Sequence, residues 1–249
     1  MGSVLTNLVV MDIKELESGI DPNSHWYFRA KRNFLLRNVP KGCTQSVDIG
    51  AGSKFFSHEL AKVNSMESVF PIDPNFSVDS TETINRCKVI SLKTASDQIR
   101  NSQFWVFMDV IEHVEDDVAF LTQYVEIAPK GSTFFITVPA YQFMWSQHDV
   151  FLGHYRRYTH KSLNALVSNA GLTTTKSGYF YSLLFPLALI QRKIVSRLAK
   201  SDKEESGLTR QSFVLNKAFE TLLNLELRIT NGFGKLPGLT VACLAAKNV

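Results

Sequence analysis

Two apolar segments, 103–108 (QFWVFM) and 132–138 (STFFITV), lack the alternation of polar and apolar residues that a half-exposed strand shows. Strands that are buried on both faces have this pattern, because helices cover both sides of a parallel sheet. Elsewhere, short apolar runs alternate with helical patterns of about ten residues. The sequence therefore predicts a doubly wound α/β domain with a mostly parallel sheet.

The predicted sheet has seven strands in all. The five further strands are shorter or are marked by flanking turn residues, and they cover 45–49, 66–72, 89–92, 172–179 and 239–246. Helical spacing predicts helices over 12–38, 55–63, 118–128, 161–170 and 213–229. In a sheet of this kind, ligands bind outside the carboxyl ends of the strands, so candidate site residues are expected there.

Composition excludes several classes of protein. The chain has 249 residues, of which 45% are hydrophobic and 20% charged, so it is not disordered, collagen-like or disulfide-stapled. Its net charge of +4 is too small by itself to indicate a nucleic-acid partner, which is disfavoured. Three cysteines without CxxC spacing indicate a reducing compartment, so we expect a cytoplasmic location, at most peripheral at the inner membrane face.

A glycine-containing loop follows the first predicted strand. Asp48, Gly50 and Gly52 lie there, and Asp73 ends the second strand about 20 residues later. A dinucleotide fingerprint would need a third glycine, where Phe55 stands, and Asp48 would repel a pyrophosphate. A buried carboxylate at a strand end suits a cationic amino group better, and a second carboxylate suits the hydroxyls of a ribose.

The motif Asp48-x-Gly50-x-Gly52, followed by Asp73, resembles motifs I and II of class I S-adenosylmethionine-dependent methyltransferases. The stretch 108–117 (MDVIEHVEDD) looks like the D-V-L-E-H-V-E-D stretch after the fourth strand of that family. The sequence departs from the family at Lys54, where a third glycine is usual. Lys54 either narrows the loop or places an ammonium near the methionine carboxylate of the cofactor.

This resemblance implies S-adenosylmethionine as the cofactor and a Rossmann-like sheet. Asp48 and the glycine loop would hold the methionine part, Asp73 the ribose, and the loops after the second and third strands the adenine. The residues implied to bind the cofactor are Asp48, Gly50, Ala51, Gly52, Asp73, Pro74, Asn75, Thr94, Ser96, Asp109 and Val110.

Three residues are candidates for proton transfer: His113, His154 and Asp149. His113 is the best base by type, since an unperturbed histidine titrates near neutral pH. The alternative is that His113 only packs on the cofactor. Asp109, Glu112 and His113 also form an acid-x-x-acid-His cluster that is similar to a divalent-metal cluster of some ubiquinone-pathway O-methyltransferases. Glu112 could equally cap the next helix, and no metal is predicted.

The segment 145–159 is dense in aromatic residues, histidines and arginines, and it resembles a D-x-x-x-G-H-x-R-R-Y stretch in a bacterial subset of these methyltransferases. In the family, the loop after the fifth strand commonly contacts the acceptor. Arginine forks match carboxylate or phosphate groups, so the acceptor could be acidic. Alternatively, one arginine pairs with a helix carboxylate and the tyrosine caps the core. The candidate acceptor-binding residues are Trp145, Arg156, Arg157 and Tyr158.

Four regions are predicted along the chain. They are a helical lead-in (1–40), the cofactor-binding domain (41–181), a helical insert (182–236) and the final strand of the main domain (237–249). The lead-in stretch 25–32 (HWYFRAKR) either closes over the cofactor or packs as an amphipathic helix on the sheet edge. The segment 179–200 is first apolar and then basic, which fits a lid, a homodimer contact or an interfacial membrane helix.

The sequence as a whole predicts a methyltransferase that acts on an oxygen of a small or lipid-linked acceptor, of saccharide or isoprenoid type. One alternative is an RNA or protein methyltransferase. Base N-methylation is discounted, because the family's Asn/Asp-Pro-Pro-aromatic motif is replaced here by Asp109-Val110-Ile111-Glu112. The other alternative is a non-catalytic S-adenosylmethionine-binding module in an assembly.

Overall fold

The computed structural model describes residues 20–198 and 213–248. Within these ranges eight strands form one sheet, in the spatial order β3-β4-β2-β1-β5-β6-β8-β7. The strands are β1 (Gln45–Ile49), β2 (Ser68–Ile72), β3 (Ser80–Ile84), β4 (Cys87–Ser91), β5 (Phe104–Met108), β6 (Thr133–Pro139), β7 (Thr173–Phe180) and β8 (Thr240–Ala246).

The central strands β4, β2, β1, β5 and β6 are mutually parallel, while β8 and β7 continue the sheet in antiparallel pairs. The chain leaves β1 first towards β2 and later returns to β5 on the other side of β1. This change of direction opens a crevice at the carboxyl ends of β1 and β5, where doubly wound sheets bind ligands.

The sheet differs from the seven-stranded expectation by one strand, β3. It pairs antiparallel with β4 at the sheet edge through a two-residue turn at Asn85 and Arg86, and Asn85 has a positive φ of 56°. The strand (STETI) is mostly polar and largely exposed, so it carries none of the hydrophobic pattern that marks the buried strands. A short polar edge strand of this kind also discourages pairing with other chains.

Helices cover both faces of the sheet. They are α1 (Trp26–Arg37), α2 (Phe55–Ala61), α3 (Asp117–Ile127), α4 (Gln147–Leu152), α5 (His160–Asn169), α6 (Phe185–Leu198) and α7 (Phe213–Thr230). Successive residues of β5 enter opposite cores: Trp105 and Phe107 face α3 and α5, while Phe104 and Val106 face α1 and α7. This burial on both faces explains why β5 shows no polar alternation.

The lead-in helix is shorter than the pattern over 12–38 predicts. Residues 12–19 lie outside the described residues, and the segment from Asp21 to Ser24 forms a turn rather than a helix. In that turn the Asp21 carboxylate accepts a hydrogen bond from the Asn23 amide. The His25 ring then caps α1 by accepting from the Tyr27 amide. Local side-chain hydrogen bonding of this type competes with helix formation.

Helix α1 packs against α7, which belongs to the insert between β7 and β8. Arg29 pairs with Glu220 at 2.8 Å, and the Asn33 amide donates to Asn224 Oδ1 at 2.9 Å. The lead-in therefore packs on the insert as well as on the sheet face. No helix among the described residues is long and apolar enough to cross a membrane.

Candidate functional site

The loop after β1 is fixed to its neighbours by backbone and side-chain hydrogen bonds. Asp48 is buried and accepts a hydrogen bond from the Ser57 hydroxyl of α2 at 2.6 Å. The Gly50 amide donates to the carbonyl of Ile72 at the end of β2 at 2.8 Å. Gly50 and Gly52 have φ values of 68° and 48°, a region that glycine occupies without a steric penalty. The loop can therefore turn tightly and bring bare backbone to a ligand.

Asp73 follows β2 and lies against this loop. Its two carboxylate oxygens accept hydrogen bonds from the amides of Gly52 at 2.9 Å and Asn75 at 2.8 Å. Burial raises the pKa of Asp73, and the two backbone donors partly offset that rise. A carboxylate offers about four acceptor positions, so the hydrogen bonds from Gly52 and Asn75 leave capacity for a further donor such as a ribose hydroxyl.

Lys54 occupies the N-cap position of α2, and its backbone has a left-handed conformation with a φ of 65°. Its ammonium lies 2.9 Å from Glu82 Oε1 on the edge strand β3, and the His58 ring contacts the same oxygen at 3.0 Å. Hydrogen bonds from Lys54 and His58 hold the pKa of Glu82 below its usual value. Glu82 thus holds the Lys54 ammonium at the edge strand β3.

The four residues that the resemblance places at the adenine lie in two adjacent loops. The loops after β2 and β4 are joined where the Asp73 amide donates to the Leu92 carbonyl at 3.1 Å. The side chains are exposed or only partly buried, and their contact with a ligand stays a prediction. They are Pro74, Asn75, Thr94 and Ser96.

Asp109 follows β5 with a positive φ of 54° and is largely buried. It forms an ion pair with Lys31 of α1, and it accepts hydrogen bonds from the Tyr27 hydroxyl at 3.3 Å and the Thr137 hydroxyl at 3.1 Å. Burial lowers the pKa of Lys31 to about 7, although the nearby charge of Glu112 acts in the opposite direction and raises it. The neighbouring Val110 is fully buried in the core.

Lys31 is a site residue that the sequence did not single out. It lies within the 25–32 stretch, but a lysine in an amphipathic helix usually faces solvent. The one available signal is its position in α1, because Phe28, Lys31 and Leu35 follow the spacing of a buried helix face.

Glu112 and His113 lie in a short 3-10 turn after Asp109, Ile111–His113. Glu112 is fully buried, and neither of its carboxylate oxygens has a hydrogen-bond partner among the described residues. Burial raises the pKa of Glu112 to about 8. The His113 ring is also buried and meets the His154 ring edge-on, with 4.6 Å between the ring centroids.

Asp149 of α4 organises the segment after β6. It accepts hydrogen bonds from His154 Nδ1 at 2.9 Å, from Arg157 Nε at 2.6 Å and Nη2 at 3.0 Å, and from the Ser146 amide at 2.8 Å. Burial alone would raise the pKa of Asp149, but the bonds from His154 and Arg157 outweigh it and hold the pKa well below its usual range. These contacts argue against the alternative that Asp149 is a general base.

Arg156 and Tyr158 share another carboxylate, that of Asp117 at the start of α3. The distance from Arg156 Nη1 to Asp117 Oδ2 is 3.0 Å, and the Tyr158 hydroxyl donates to the same oxygen at 2.7 Å. Tyr158 is buried in the core, and Trp145 is half-buried. The guanidinium groups of Arg156 and Arg157 therefore both pair with carboxylates of this chain, as expected if these arginines stabilise the fold. Contact of these residues with an acceptor stays a prediction.

Comparison with known proteins gives structural neighbours only. No protein-family model and no curated sequence matches this chain. A chain of the Haloferax volcanii complex between the Trm112 methyltransferase activator and a methyltransferase aligns with a TM-score of 0.55 and 16% identity, over 96% of this chain and 93% of that chain. An S-adenosylmethionine-dependent methyltransferase from Archaeoglobus fulgidus aligns with a TM-score of 0.54 and 14% identity, over 95% and 99%.

A third neighbour was solved with S-adenosyl-L-methionine: the Haemonchus contortus phosphoethanolamine N-methyltransferase 2. It aligns with a TM-score of 0.52 and 11% identity, over 88% of this chain and 52% of that one. This chain has the class I methyltransferase fold.

The described residues fit the cofactor that this fold commonly binds. Asp48 lies in β1, one residue before its end, and Asp73 and Asp109 follow β2 and β5, the two neighbours of β1 in the sheet, so three carboxylates lie near one edge. An ammonium group and two vicinal hydroxyls, as found on S-adenosylmethionine, are donors that such carboxylates accept. The glycine loop between them supplies unshielded backbone.

Proposed function

We propose that this protein is an S-adenosylmethionine-dependent methyltransferase that acts on an oxygen of a small or lipid-linked acceptor. The observation that carries the proposal is the hydrogen bond from the Gly52 amide to Asp73, which fixes a carboxylate against a glycine loop at the sheet's crevice. A carboxylate held in this way is preorganised to accept ribose hydroxyls. The class I methyltransferase fold of the neighbours supports the same conclusion.

In this proposal the cofactor supplies the activated methyl carbon when bound. The chain's own residues bind and align it: Asp48 and the glycine loop hold the methionine part, and Asp73 holds the ribose. Alignment alone can supply about 7–11 kcal/mol of a barrier in favourable systems. An alcohol acceptor must also lose a proton, and the buried His113, which follows β5, is the proposed base.

We propose that the part of the acceptor that contacts the segment after β6 carries no charge. Arg156 is held by Asp117 and Arg157 by Asp149, so neither fork is free to bind a carboxylate or phosphate of the acceptor. Recruiting either arginine would leave a carboxylate without its partner, which is costly for the fully buried Asp149. These two ion pairs favour an acceptor with a neutral hydroxyl over the acidic acceptor that the sequence suggested.

A loop blocked by Lys54 would favour the alternative of a non-catalytic binding module. Because Glu82 holds the Lys54 ammonium on β3, this alternative loses its main support. A protein partner remains a separate question, since one structural neighbour forms a complex with the Trm112 activator.

Calorimetric titration with S-adenosylmethionine and S-adenosylhomocysteine tests the proposed cofactor site. We expect micromolar binding to the wild-type chain and a loss of about 10- to 150-fold in Asp73→Ala, since a hydrogen bond to a charged group is worth about 1.5–3 kcal/mol. Glu67→Ala is the matched control, because Glu67 is an exposed acid just before the start of β2, whereas Asp73 follows its end. The affinity of this variant for both ligands should equal that of the wild type. Absence of binding to both ligands in the wild type would refute the proposed function.

A further inference from the structure

We propose that Glu112, His113 and His154 form a binding site for one divalent transition-metal ion such as Zn²⁺. Each of these side chains offers one ligand atom, and the three atoms lie within 4.8 Å of one another. Two residues come from the turn after β5, and His154 comes from the segment after β6. The tertiary structure therefore assembles a set that is not contiguous in sequence.

The strongest support comes from Glu112. It is completely inaccessible to solvent, and neither carboxylate oxygen meets a hydrogen-bond donor among the described residues. A buried polar group without a partner is costly, and a buried carboxylate normally pairs with a cation or coordinates a metal. A bound cation beside Glu112 would remove this cost.

His154 is oriented as a metal ligand should be. Its Nδ1 donates to Asp149, so the imidazole presents the lone pair of Nε2 on its other side. This Nε2 is buried and has no hydrogen-bond partner in the part of the chain that the structure describes. Asp149 is itself fixed by Arg157. A carboxylate that hydrogen-bonds the far nitrogen of a ligating histidine is the usual support of a protein metal site.

The set differs from the contiguous acid-x-x-acid-His cluster. Asp109 is not a member, because it forms an ion pair with Lys31 and accepts hydrogen bonds from two hydroxyls. Because the ligand set contains His154 instead of Asp109, the ion expected at the site is different. Two imidazoles and one carboxylate suit Zn²⁺ and related transition metals, whereas Mg²⁺ favours oxygen ligands.

The geometry needs only small adjustments. In a tetrahedral zinc site, two ligand atoms that each lie about 2.1 Å from the ion are about 3.4 Å apart. The three atoms here lie within 4.8 Å of one another, so side-chain rotations that bring them closer by up to about 1.4 Å would complete the site. Three protein ligands leave a fourth position open, as in catalytic zinc sites. With a metal bound, His113 would be a ligand and would not serve as the base of the proposed function; the ion would instead lower the pKa of an acceptor hydroxyl at the open position. That use rests on the proposed function, whereas metal binding does not.

Titration of the chelator-treated protein with Co²⁺ tests the site, because the ion absorbs visible light when it binds nitrogen and oxygen ligands in a low-symmetry site. We expect one ion per chain, displacement by Zn²⁺, and a higher melting temperature of the wild type when Zn²⁺ is added. Glu112→Gln and His154→Gln should each weaken Co²⁺ binding at least 100-fold. Asp149→Asn, which alters a positioning residue, should weaken it about 10–100-fold.

His160→Gln is the matched control, since His160 is exposed and lies outside the cluster. The Co²⁺ affinity of this variant should equal that of the wild type. Circular dichroism checks that each variant is folded. The proposal is overturned if the wild type binds no Co²⁺ and no Zn²⁺, or if Glu112→Gln binds as tightly as the wild type. The cofactor titration is scored separately, so a chain that binds metal but no S-adenosylmethionine contradicts only the proposed function.

Discussion

Asp149→Ala is expected to lower the free energy of unfolding by about 3–5 kcal/mol, because it removes one partner of a buried ion pair. Asp149 is fully buried and accepts two hydrogen bonds from Arg157, whose side chain is only 6% exposed. Without the carboxylate, the guanidinium keeps, among the described residues, only its bond to the Ala140 carbonyl. Asp149→Ala also removes the partners of His154 Nδ1 and the Ser146 amide.

Asp97→Ala is the matched control for this prediction. Asp97 pairs with Arg100 at a similar distance, 2.6 Å, but its side chain is 88% exposed. An exposed ion pair contributes less than about 1 kcal/mol, so the control should unfold almost like the wild type. Both variants are measured by urea denaturation with a chelator present, which removes any contribution from bound metal. Equal unfolding energies for the two variants would contradict the structural role assigned to Asp149.

Gly232→Ala is expected to cost about 3 kcal/mol, through backbone strain and a steric clash together. Gly232 follows α7 with a φ of 80°, and an added Cβ would lie 2.0 Å from Cε2 of Phe34. The Phe34 ring cannot move aside easily, because it is fully buried and packs against Phe135 and Phe180. The substitution therefore forces α7 away from α1, or the ring out of its place in the core.

Gly171→Ala separates the two causes. Gly171 also follows a helix, with a φ of 85°, but an added Cβ would meet nothing within 4 Å. This control should lose only the strain component, about 1–2 kcal/mol. Adding Phe34→Leu to Gly232→Ala should give less than the sum of the two single effects, since the smaller side chain relieves the clash. Strict additivity in urea denaturation would show that Phe34 is not the obstacle.

The sequence determined the architecture where burial dictates residue type. Strands β5 and β6 are covered on both faces, so their apolar runs mark them unambiguously. The loop after β1 was predictable for a related reason, because glycine is the residue that tolerates its positive φ values and Asp73 follows at the expected interval. These signals are local, and each can be recognised from a few consecutive residues.

The edge strand β3 escaped prediction because its residues face solvent and therefore follow no hydrophobic pattern. The pairing of Lys31 with Asp109 escaped prediction because the two residues are 78 positions apart in the sequence and nothing local marks a buried lysine. The sequence also left two roles open for the arginine pair. Tertiary packing places Asp117 and Asp149 next to Arg156 and Arg157, as the structural role expects, and contact with an acceptor stays a prediction.

The sequence by itself determined the α/β class, the central strands and the carboxylates along the carboxyl edge, since hydrophobic patterning and turn chemistry act over short stretches of chain. Only the tertiary structure decided which charges are neutralised and which buried groups remain without partners. Glu112 and His154 show the difference. His154 was a candidate for proton transfer and Glu112 was considered only in a metal-like cluster or as a helix cap, whereas their burial and proximity depend on how the turn after β5 meets the segment after β6. Burial and pairing of charges depend on distances between remote segments, and a linear pattern does not contain those distances.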